Sequence, residues 1–213
     1  LNPTTRGQRS VILSDERDLV ERARGGDGGA FGQIYQAYVD RVYSFVLYQV
    51  RDSGTAEDLT QEVFIQAMRG MAALEWRGSL APWLLRIARN TVYDHWRRQA
   101  RRPERVLSSA ELGEDDEEAE SRMDRLAAKP HDEDEALHLV ELGVDREQIA
   151  RAMTQLTDLQ QQVLLLRFGS GLSILETAAA MDRSDGAIKN LQHHAVRALR
   201  KALGWPELSE DGA

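Results

Sequence analysis

The sequence predicts an all-α protein that consists of two small helical domains joined by an acidic flexible linker. Apolar residues recur at intervals of three and four along most of the chain, which places them on one side of a helix. Helix-capping residues precede these segments, and the alternating pattern of strands is nearly absent. The 213 residues are enough for two small cores. We expect domains at residues 14–103 and 145–205, with the linker at 104–144.

The first domain is predicted to begin with two helices. Ser14 is placed to cap a short helix that runs to about Arg24, because a glycine pair follows. Asp27 then caps a long helix in which the apolar residues form one buried stripe. The stripe consists of Phe31, Ile34, Tyr35, Tyr38, Val42, Phe45 and Val46.

Two further helices are predicted in the first domain. Thr55, with Asp58 three residues later, has the spacing of a capping box at the start of the first one. A loop is expected at residues 70–79. Pro82 fits the first turn of the last helix, and Pro103 ends it because proline cannot continue a helix.

The predicted linker is defined by its charge. Between residues 103 and 145 there are 15 acids and 4 bases, and large apolar residues are few. Such a segment cannot bury enough surface to offset the loss of chain entropy. We therefore expect a flexible tether between two folded parts.

The second domain shows capping patterns ahead of three apolar segments. Thr157 and Gln160 form one capping box. Ser173 and Glu176 form a second, and Ser184 is placed to cap a last helix. These helices are expected at about residues 158–168, 174–181 and 186–203.

Composition excludes several classes of protein. Without cysteine the chain has no disulfide, thiol nucleophile or cysteine zinc site. No apolar run approaches the roughly 20 residues that cross a bilayer, and the first residues lack a secretory pattern. We therefore expect a cytoplasmic protein without membrane insertion. No catalytic motif or metal-ligand spacing occurs, so we expect neither an enzyme nor a cofactor.

The net charge of −8 conceals a basic block at residues 77–102, where seven arginines accompany a single acid, Asp94. Aromatic residues are interleaved with these cations. Rings that stack on unpaired bases, next to cations that hold the backbone, are typical of single-strand binding. Trp83 is better explained as core, whereas Trp76 is a better candidate for exposure.

The last two predicted helices have the spacing of a helix-turn-helix. The inner stripe of the second one consists of Ile188, Leu191, Ala195, Ala198 and Leu199. The opposite face has no acid and carries Lys189, Asn190, His193, Arg197, Arg200 and Lys201. Long cations can neutralise phosphates, and an amide or a lysine can reach base edges in a major groove. The alternative is the solvated face of a small helical bundle.

Both halves of the chain resemble extracytoplasmic-function (ECF) sigma factors, the small two-domain members of the sigma-70 family. Region 2 of that family resembles residues 56–64 (AEDLTQEVF) and 83–90 (WLLRIARN), with Asp94 and Arg97 following. Region 4 resembles residues 156–160 (LTDLQ), 171–178 (GLSILETA), 186–189 (GAIK) and 198–200 (ALR). The resemblance covers about residues 18–103 and 145–203.

The resemblance implies roles for several residues of the first domain. Residues that would contact the clamp of core RNA polymerase are Asp58, Gln61 and Glu62, whose alternative is a solvated helix face. Residues that would hold a flipped base of the minus-ten element or meet the melting strand are Trp76, Arg77, Asn90, Asp94, Arg97 and Arg98.

In the second domain, the resemblance implies contacts to the minus-thirty-five element. The residues concerned are Gly186, Lys189, Asn190, His193, His194 and Arg197. The chain departs from the usual pattern at residues 190–192 (NLQ), where a Ser-Arg-hydrophobic run is commoner, and at His194, where arginine is commoner.

The expected function is that of a sigma factor, which binds core polymerase and directs promoter recognition, DNA melting and initiation. The implied partners are the clamp and flap of the largest core subunits, promoter DNA in duplex and single-stranded form, and an anti-sigma factor. One alternative is a helix-turn-helix regulator that binds duplex DNA as a dimer. Another is an adaptor that binds only proteins through its acidic tether.

Overall fold

The computed structural model describes residues 16–100 and 146–205, which fall into two compact units. Both units are built from helices, and these two ranges contain no strand. The all-α prediction is therefore confirmed. The predicted linker at 104–144, the Ser14 cap and the Pro103 terminus lie outside the described residues. No helix within the described ranges is long and apolar enough to cross a membrane.

Within residues 16–100, the first unit contains four helices and one short 3₁₀ turn. The first helix, α1, is described from residue 16 to residue 24. The others are α2 (Gly28–Val50), α3 (Ser53–Gly70), the 3₁₀ turn Met71–Ala73 and α4 (Ala81–Ala100). Helices α2, α3 and α4 pack against one another. Their shared core includes Ile34, Val42, Val46, Val63, Leu84 and Leu85.

Asp27 caps α2 as predicted. Its Oδ1 accepts hydrogen bonds from the amides of Gly29 and Ala30 at 2.8 and 3.1 Å. The Arg22 side chain also donates to this carboxylate, at 2.6 Å, and Arg22 and the two amides hold the pKa of Asp27 below its usual value. The contact joins the end of α1 to the start of α2.

The predicted Thr55 cap of α3 is wrong. Asp52 is the cap, because its Oδ2 accepts a hydrogen bond from the Thr55 amide at 2.8 Å. Arg51 adopts a left-handed conformation with φ of 56° and ends α2, where its amide donates to the Leu47 carbonyl. Helix α3 therefore starts at Ser53, earlier than predicted.

Two further predictions for this unit need correction. Tyr35 was expected in the buried stripe, but it is 40% exposed and packs edge-on against Phe64 with ring centroids 4.7 Å apart. The predicted loop at 70–79 is shorter, since α3 includes Gly70 and the 3₁₀ turn follows. A Cβ at Gly70 would stand 3.3 Å from Cζ2 of Trp83, so the half-buried indole lies directly on α3.

The second unit contains α5 (Arg146–Met153), α6 (Asp158–Leu164), a π-helical turn (Leu165–Gly169), α7 (Ile174–Met181) and α8 (Asp185–Ala202). Helix α8 packs on α5, α6 and α7. The single helix predicted at 158–168 thus changes to π geometry from residue 165. Both predicted capping boxes are present, and Ser184 caps α8 as predicted.

Candidate nucleic-acid interface

The loop at residues 74–80 connects the 3₁₀ turn to α4 and carries two of the predicted site residues. Both ends of the loop are anchored in the core, because Leu74 is only 8% exposed and Leu80 is 0% exposed. Between them, Trp76 is half-buried and Arg77 is exposed. The Arg77 guanidinium pairs with the Glu75 carboxylate at 3.1 Å. The loop therefore presents an indole and a cation from an anchored backbone.

Helix α4 begins at the end of this loop and presents the remaining predicted residues of the first unit. The side chains of Asn90, Asp94, Arg97 and Arg98 are all exposed. Arg97 pairs with the Asp94 carboxylate at 3.8 Å, and Arg98 donates to the Asp94 carbonyl at 3.2 Å. The structure thus brings these four residues together on the solvent side of one helix.

Two aromatic residues of α4 are also exposed. Tyr93 is 53% and Trp96 36% exposed, although both are large enough to contribute to a core. The His95 ring packs edge-on against Trp96, with centroids 5.2 Å apart, and a 2.8 Å hydrogen bond joins it to Gln99. Burial, and then the charge of Arg98, lower the pKa of His95, although Glu62 opposes the shift. The shift favours the neutral form of this imidazole.

The predicted core-polymerase contacts lie on α3. Asp58 and Gln61 are exposed, whereas Glu62 is half-buried. Glu62 accepts a hydrogen bond from Gln66 at 3.2 Å and pairs with Arg98 of α4 at 3.6 Å. The residue pattern of each helix gives no sign of this pair, which joins the predicted core-binding side chains to the predicted DNA-binding side chains.

In the second unit, the outer face of α8 is largely as predicted. Gly186, Lys189, His193 and Arg197 are exposed, and Asn190 and His194 are half-buried. The inner stripe differs slightly, because Ala198 is half-buried while Gln192 and Val196 are buried. No acid follows Asp185 along the helix, so the outer face is uniformly cationic or neutral.

A buried polar contact behind α8 was not predicted. Gln192 is 2% exposed, and its Oε1 accepts a hydrogen bond from Arg167 at 2.6 Å. The same guanidinium also donates to the carbonyl of Leu172. Arg167 therefore ties the π-helical turn and the segment before α7 to α8. The sequence signal for this contact was a glutamine at a helical position that faces the core.

The adjacent histidines of α8 differ in environment. Their rings lie edge to face, with centroids 5.6 Å apart. Burial, followed by the nearby His193 and Arg197, lowers the pKa of His194. The shift favours the neutral form of His194. Among the described residues, no cluster of His, Asp or Glu has the arrangement of a metal site.

Comparison with known families matches both units. Residues 34–102 match the model of sigma-70 region 2, and residues 152–201 match that of sigma-70 region 4. The first match contains α3, the loop at 74–80 and α4. The second contains the helix-turn-helix formed by α7 and α8.

Individual proteins agree with the family models. The ECF RNA polymerase sigma factor BldN of Streptomyces coelicolor is 37% identical over 187 residues, covering 87% of this chain but only 65% of BldN. The ECF RNA polymerase sigma factor SigX of Bacillus subtilis is 34% identical over 176 residues, covering 81% of this chain and 83% of SigX.

A solved structure supports the fold. It contains the sigma factor RpoE in complex with the anti-sigma factor NepR from Bartonella quintana, with a TM-score of 0.58 and 21% identity, covering 83% of this chain and 98% of the other. The two region models in order, together with the extensive match to SigX, show that this chain belongs to the ECF RNA polymerase sigma factors of the sigma-70 family.

Proposed function

We propose that this chain binds core RNA polymerase and directs it to promoters by recognising two DNA elements and trapping unpaired bases. The main support is the order of two differently equipped surfaces in one chain. A loop and helix with exposed aromatic and cationic side chains lie in the region 2 match, and a cationic recognition helix lies in the region 4 match. The phosphodiester chemistry belongs to the polymerase, and this chain supplies only binding and orientation.

The core-binding surface is proposed to be the exposed side of α3. Asp58 and Gln61 are available to basic groups of the clamp, and Glu62 is available in part. Charge complementarity of this kind speeds encounter and fixes orientation. Because Glu62 also pairs with Arg98, a clamp cation that binds Glu62 would release this arginine toward DNA.

The minus-ten surface is proposed to be the loop at 74–80 with the exposed side of α4. The Trp76 indole can stack on a base that has left the duplex, and stacking contributes roughly 1–3 kcal/mol per base. Asn90 can form hydrogen bonds with a base edge, and Arg77, Arg97 and Arg98 can approach the backbone. Extruding a base costs a few kcal/mol. This surface therefore contributes most once core polymerase has begun to separate the strands.

The minus-thirty-five surface is proposed to be the outer face of α8. Lys189 and Asn190 lie near its N-terminal end, where side chains of a recognition helix reach base edges. His193 and Arg197 follow one and two turns later and can approach phosphates. Gly186 allows a close approach of the backbone, since a Cβ at this position would meet no protein atom.

We also propose that the chain acts in the cytoplasm and that an anti-sigma factor regulates it. A sigma factor must reach core polymerase, which places its action where that enzyme transcribes. The similar RpoE was solved in complex with an anti-sigma factor. A protein partner that covers the exposed faces of α3 and α4 would block both core and DNA contacts.

The decisive experiment adds purified chain to core polymerase and follows strand opening on promoter DNA by permanganate reactivity of thymines. We expect opening only when the chain and core are both present. If the chain alone binds duplex promoter DNA tightly as a dimer, and core adds no opening, the proposal is wrong and the regulator alternative is correct.

A further inference from the structure

Glu16 of α1 is a buried carboxylate to which the sequence patterns gave no role. The residue is 3% exposed. Its Oε1 accepts one hydrogen bond from the Tyr38 hydroxyl at 2.5 Å and another from the Leu80 amide at 3.0 Å. We call this arrangement of three residues the Glu16 bridge. It joins α1, α2 and the end of the loop at 74–80.

The bridge spans parts of the chain that are far apart in sequence. Glu16 is 22 residues from Tyr38 and 64 residues from Leu80. Burying a carboxylate is costly unless hydrogen bonds replace its hydration, and bonds to a charged acceptor are stronger than neutral ones. Retaining a carboxylate here, instead of an apolar residue, therefore provides a directional contact with the Leu80 amide.

Leu80 is the point at which the loop becomes α4. Its side chain is fully buried, and its carbonyl accepts the hydrogen bond of the Leu84 amide at 3.0 Å, in the first turn of the helix. The other end of the loop is held by the Leu74 amide, which donates to Met71 at 3.1 Å. Between these anchors, Gly78 has a φ of +91°, and Arg77 is exposed. The Glu16 bridge is thus a polar anchor of the loop at its α4 end.

We infer that Glu16 is a positioning residue for promoter opening, because it fixes the loop end through the Leu80 amide and thereby the placement of Trp76. The inference rests on the proposed function and deepens it. A base that leaves the duplex has already lost the free energy of stacking and pairing. If the loop also had to become ordered on binding, the cost of that ordering would offset part of the binding free energy. Fixing the loop in advance avoids that loss.

A purely structural role for Glu16 predicts that core affinity and promoter opening fall together, whereas a positioning role predicts that opening falls alone. Variants that remove one or both hydrogen bonds distinguish the two roles. Tyr38→Phe removes the donor from α2 and leaves the bond to the Leu80 amide. Glu16→Ala removes both bonds, whereas Glu16→Gln retains an oxygen that can accept both. Asp18→Ala is the matched control, because it removes an exposed carboxylate from the same helix.

The experiment uses the full chain with core polymerase and a promoter selected by the unmodified chain. Permanganate reactivity measures opening, a binding titration measures core affinity, and hydrogen exchange in the free chain measures protection of the Leu80 amide. For Glu16→Ala we expect opening to fall and Leu80 exchange to accelerate, each about tenfold, as for loss of a hydrogen bond to a charged group. Core affinity should stay within about twofold of the parent, well below the effect of losing that bond.

The other variants complete the test. Glu16→Gln should restore most of the opening, and Tyr38→Phe and Asp18→Ala should open promoters like the parent. If Glu16→Ala does not fold, Glu16→Asp replaces it, because the shorter side chain keeps the charge but draws back from Leu80. The inference is overturned if the variants lose core affinity and opening in parallel, if Tyr38→Phe impairs opening as much as Glu16→Ala, or if Leu80 protection is unchanged.

Failure of the proposed function gives a different result. In that case the unmodified chain opens no promoter with core, while Leu80 exchange still reports whether the bridge anchors the loop.

Discussion

The two units carry their positive charge in different ways. In the first unit, three arginines of the proposed DNA surface pair with carboxylates: Arg77 with Glu75 at 3.1 Å, Arg97 with Asp94 at 3.8 Å and Arg98 with Glu62 at 3.6 Å. In the second unit, α8 has no acid after Asp185, and its outer face carries Lys189 and Arg197.

This difference matches two different DNA substrates. Duplex binding depends on the release of counterions by cations, and α8 carries its outer cations without an acid of its own beyond Asp185. Arginines with acidic neighbours attract duplex DNA less, and the proposed function gives the first unit contacts that only unpaired bases offer. We therefore expect the second unit to bind duplex DNA in a salt-dependent way, and the first unit to act when the strands separate.

Charge reversal on α3 should have the largest effect. Asp58→Lys should lower core affinity by about 100-fold, because placing like charges across an interface costs several kcal/mol. Glu57→Lys is the control, since it reverses an exposed acid about 100° away around the same helix. Affinity is measured by titration with labelled core. Equal core affinity of Asp58→Lys and the parent, with an unchanged helical spectrum, contradicts the clamp contact.

Reversal of Glu62 is a less specific test of core binding. Glu62→Lys would place a cation next to Arg98 as well as removing a clamp contact. We expect this variant to lose both core affinity and promoter opening, which distinguishes it from Asp58→Lys assayed at saturating core.

Removing the predicted base contacts of the first unit should have the next largest effect. Trp76→Ala and Asn90→Ala should each reduce promoter opening by about tenfold, in line with the loss of one stacked or hydrogen-bonded base. Core affinity should not change, because neither residue lies on α3. Permanganate reactivity measures opening, and Gln99→Ala is a matched loss of an exposed amide from α4. Parental opening by both variants would show that the pocket lies elsewhere.

Gln192→Ala should reveal the buried support of the recognition helix. Arg167 loses a partner in the interior, which costs roughly 1–3 kcal/mol, so amide exchange in α8 should accelerate and duplex affinity should fall. Asn190→Ala should lower duplex affinity without changing exchange. The contact is unimportant if α8 exchanges equally fast in the Gln192 variant and the parent.

Salt dependence tests the comparison between the units directly. Arg197→Ala should lower the slope of log affinity for duplex minus-thirty-five DNA against log salt by about one, as for loss of one phosphate contact. Arg97→Ala should change this slope little, because Asp94 already balances that charge. Fluorescence anisotropy over a range of salt gives both slopes, and a larger change for Arg97→Ala would reverse the assignment of the two surfaces.

The smallest effect concerns pH. The lowered pKa of His194 means that the free protein resists its protonation, so acidification through the usual histidine range costs the folded second unit some stability. DNA phosphates favour the protonated imidazole, so binding takes up protons and duplex affinity should rise as the pH falls. His194→Gln should flatten this rise, and an identical pH profile for the variant would exclude His194 from the interface.

Local chemistry predicted much of the fold. The caps at Asp27, Thr157, Ser173 and Ser184 need only a side chain and the amides of the next turn, so they are visible in the sequence. The start of α3 was misplaced because the left-handed Arg51 depends on backbone conformation, which no pattern of residue types displayed.

Contacts between distant residues were not predictable in the same way. The Glu16–Leu80 and Arg167–Gln192 bonds join residues 64 and 25 positions apart. Periodicity shows which residues face inward, but it does not identify their partners. The candidate surfaces were therefore predictable as lists of exposed residues, whereas the ion pairs and buried contacts that support them required the structure.

Run-off transcription from a promoter library tests the central claim most directly. Core polymerase is mixed with the parent chain, Asn90→Ala or Arg197→Ala, and the initiated transcripts and their upstream DNA are sequenced. We predict that the parent selects two separated elements, that Asn90→Ala relaxes selection only near the start site, and that Arg197→Ala weakens dependence only on the upstream element. Initiation no better than with core alone, or equal effects of both variants on both elements, would contradict the division of labour between the two units.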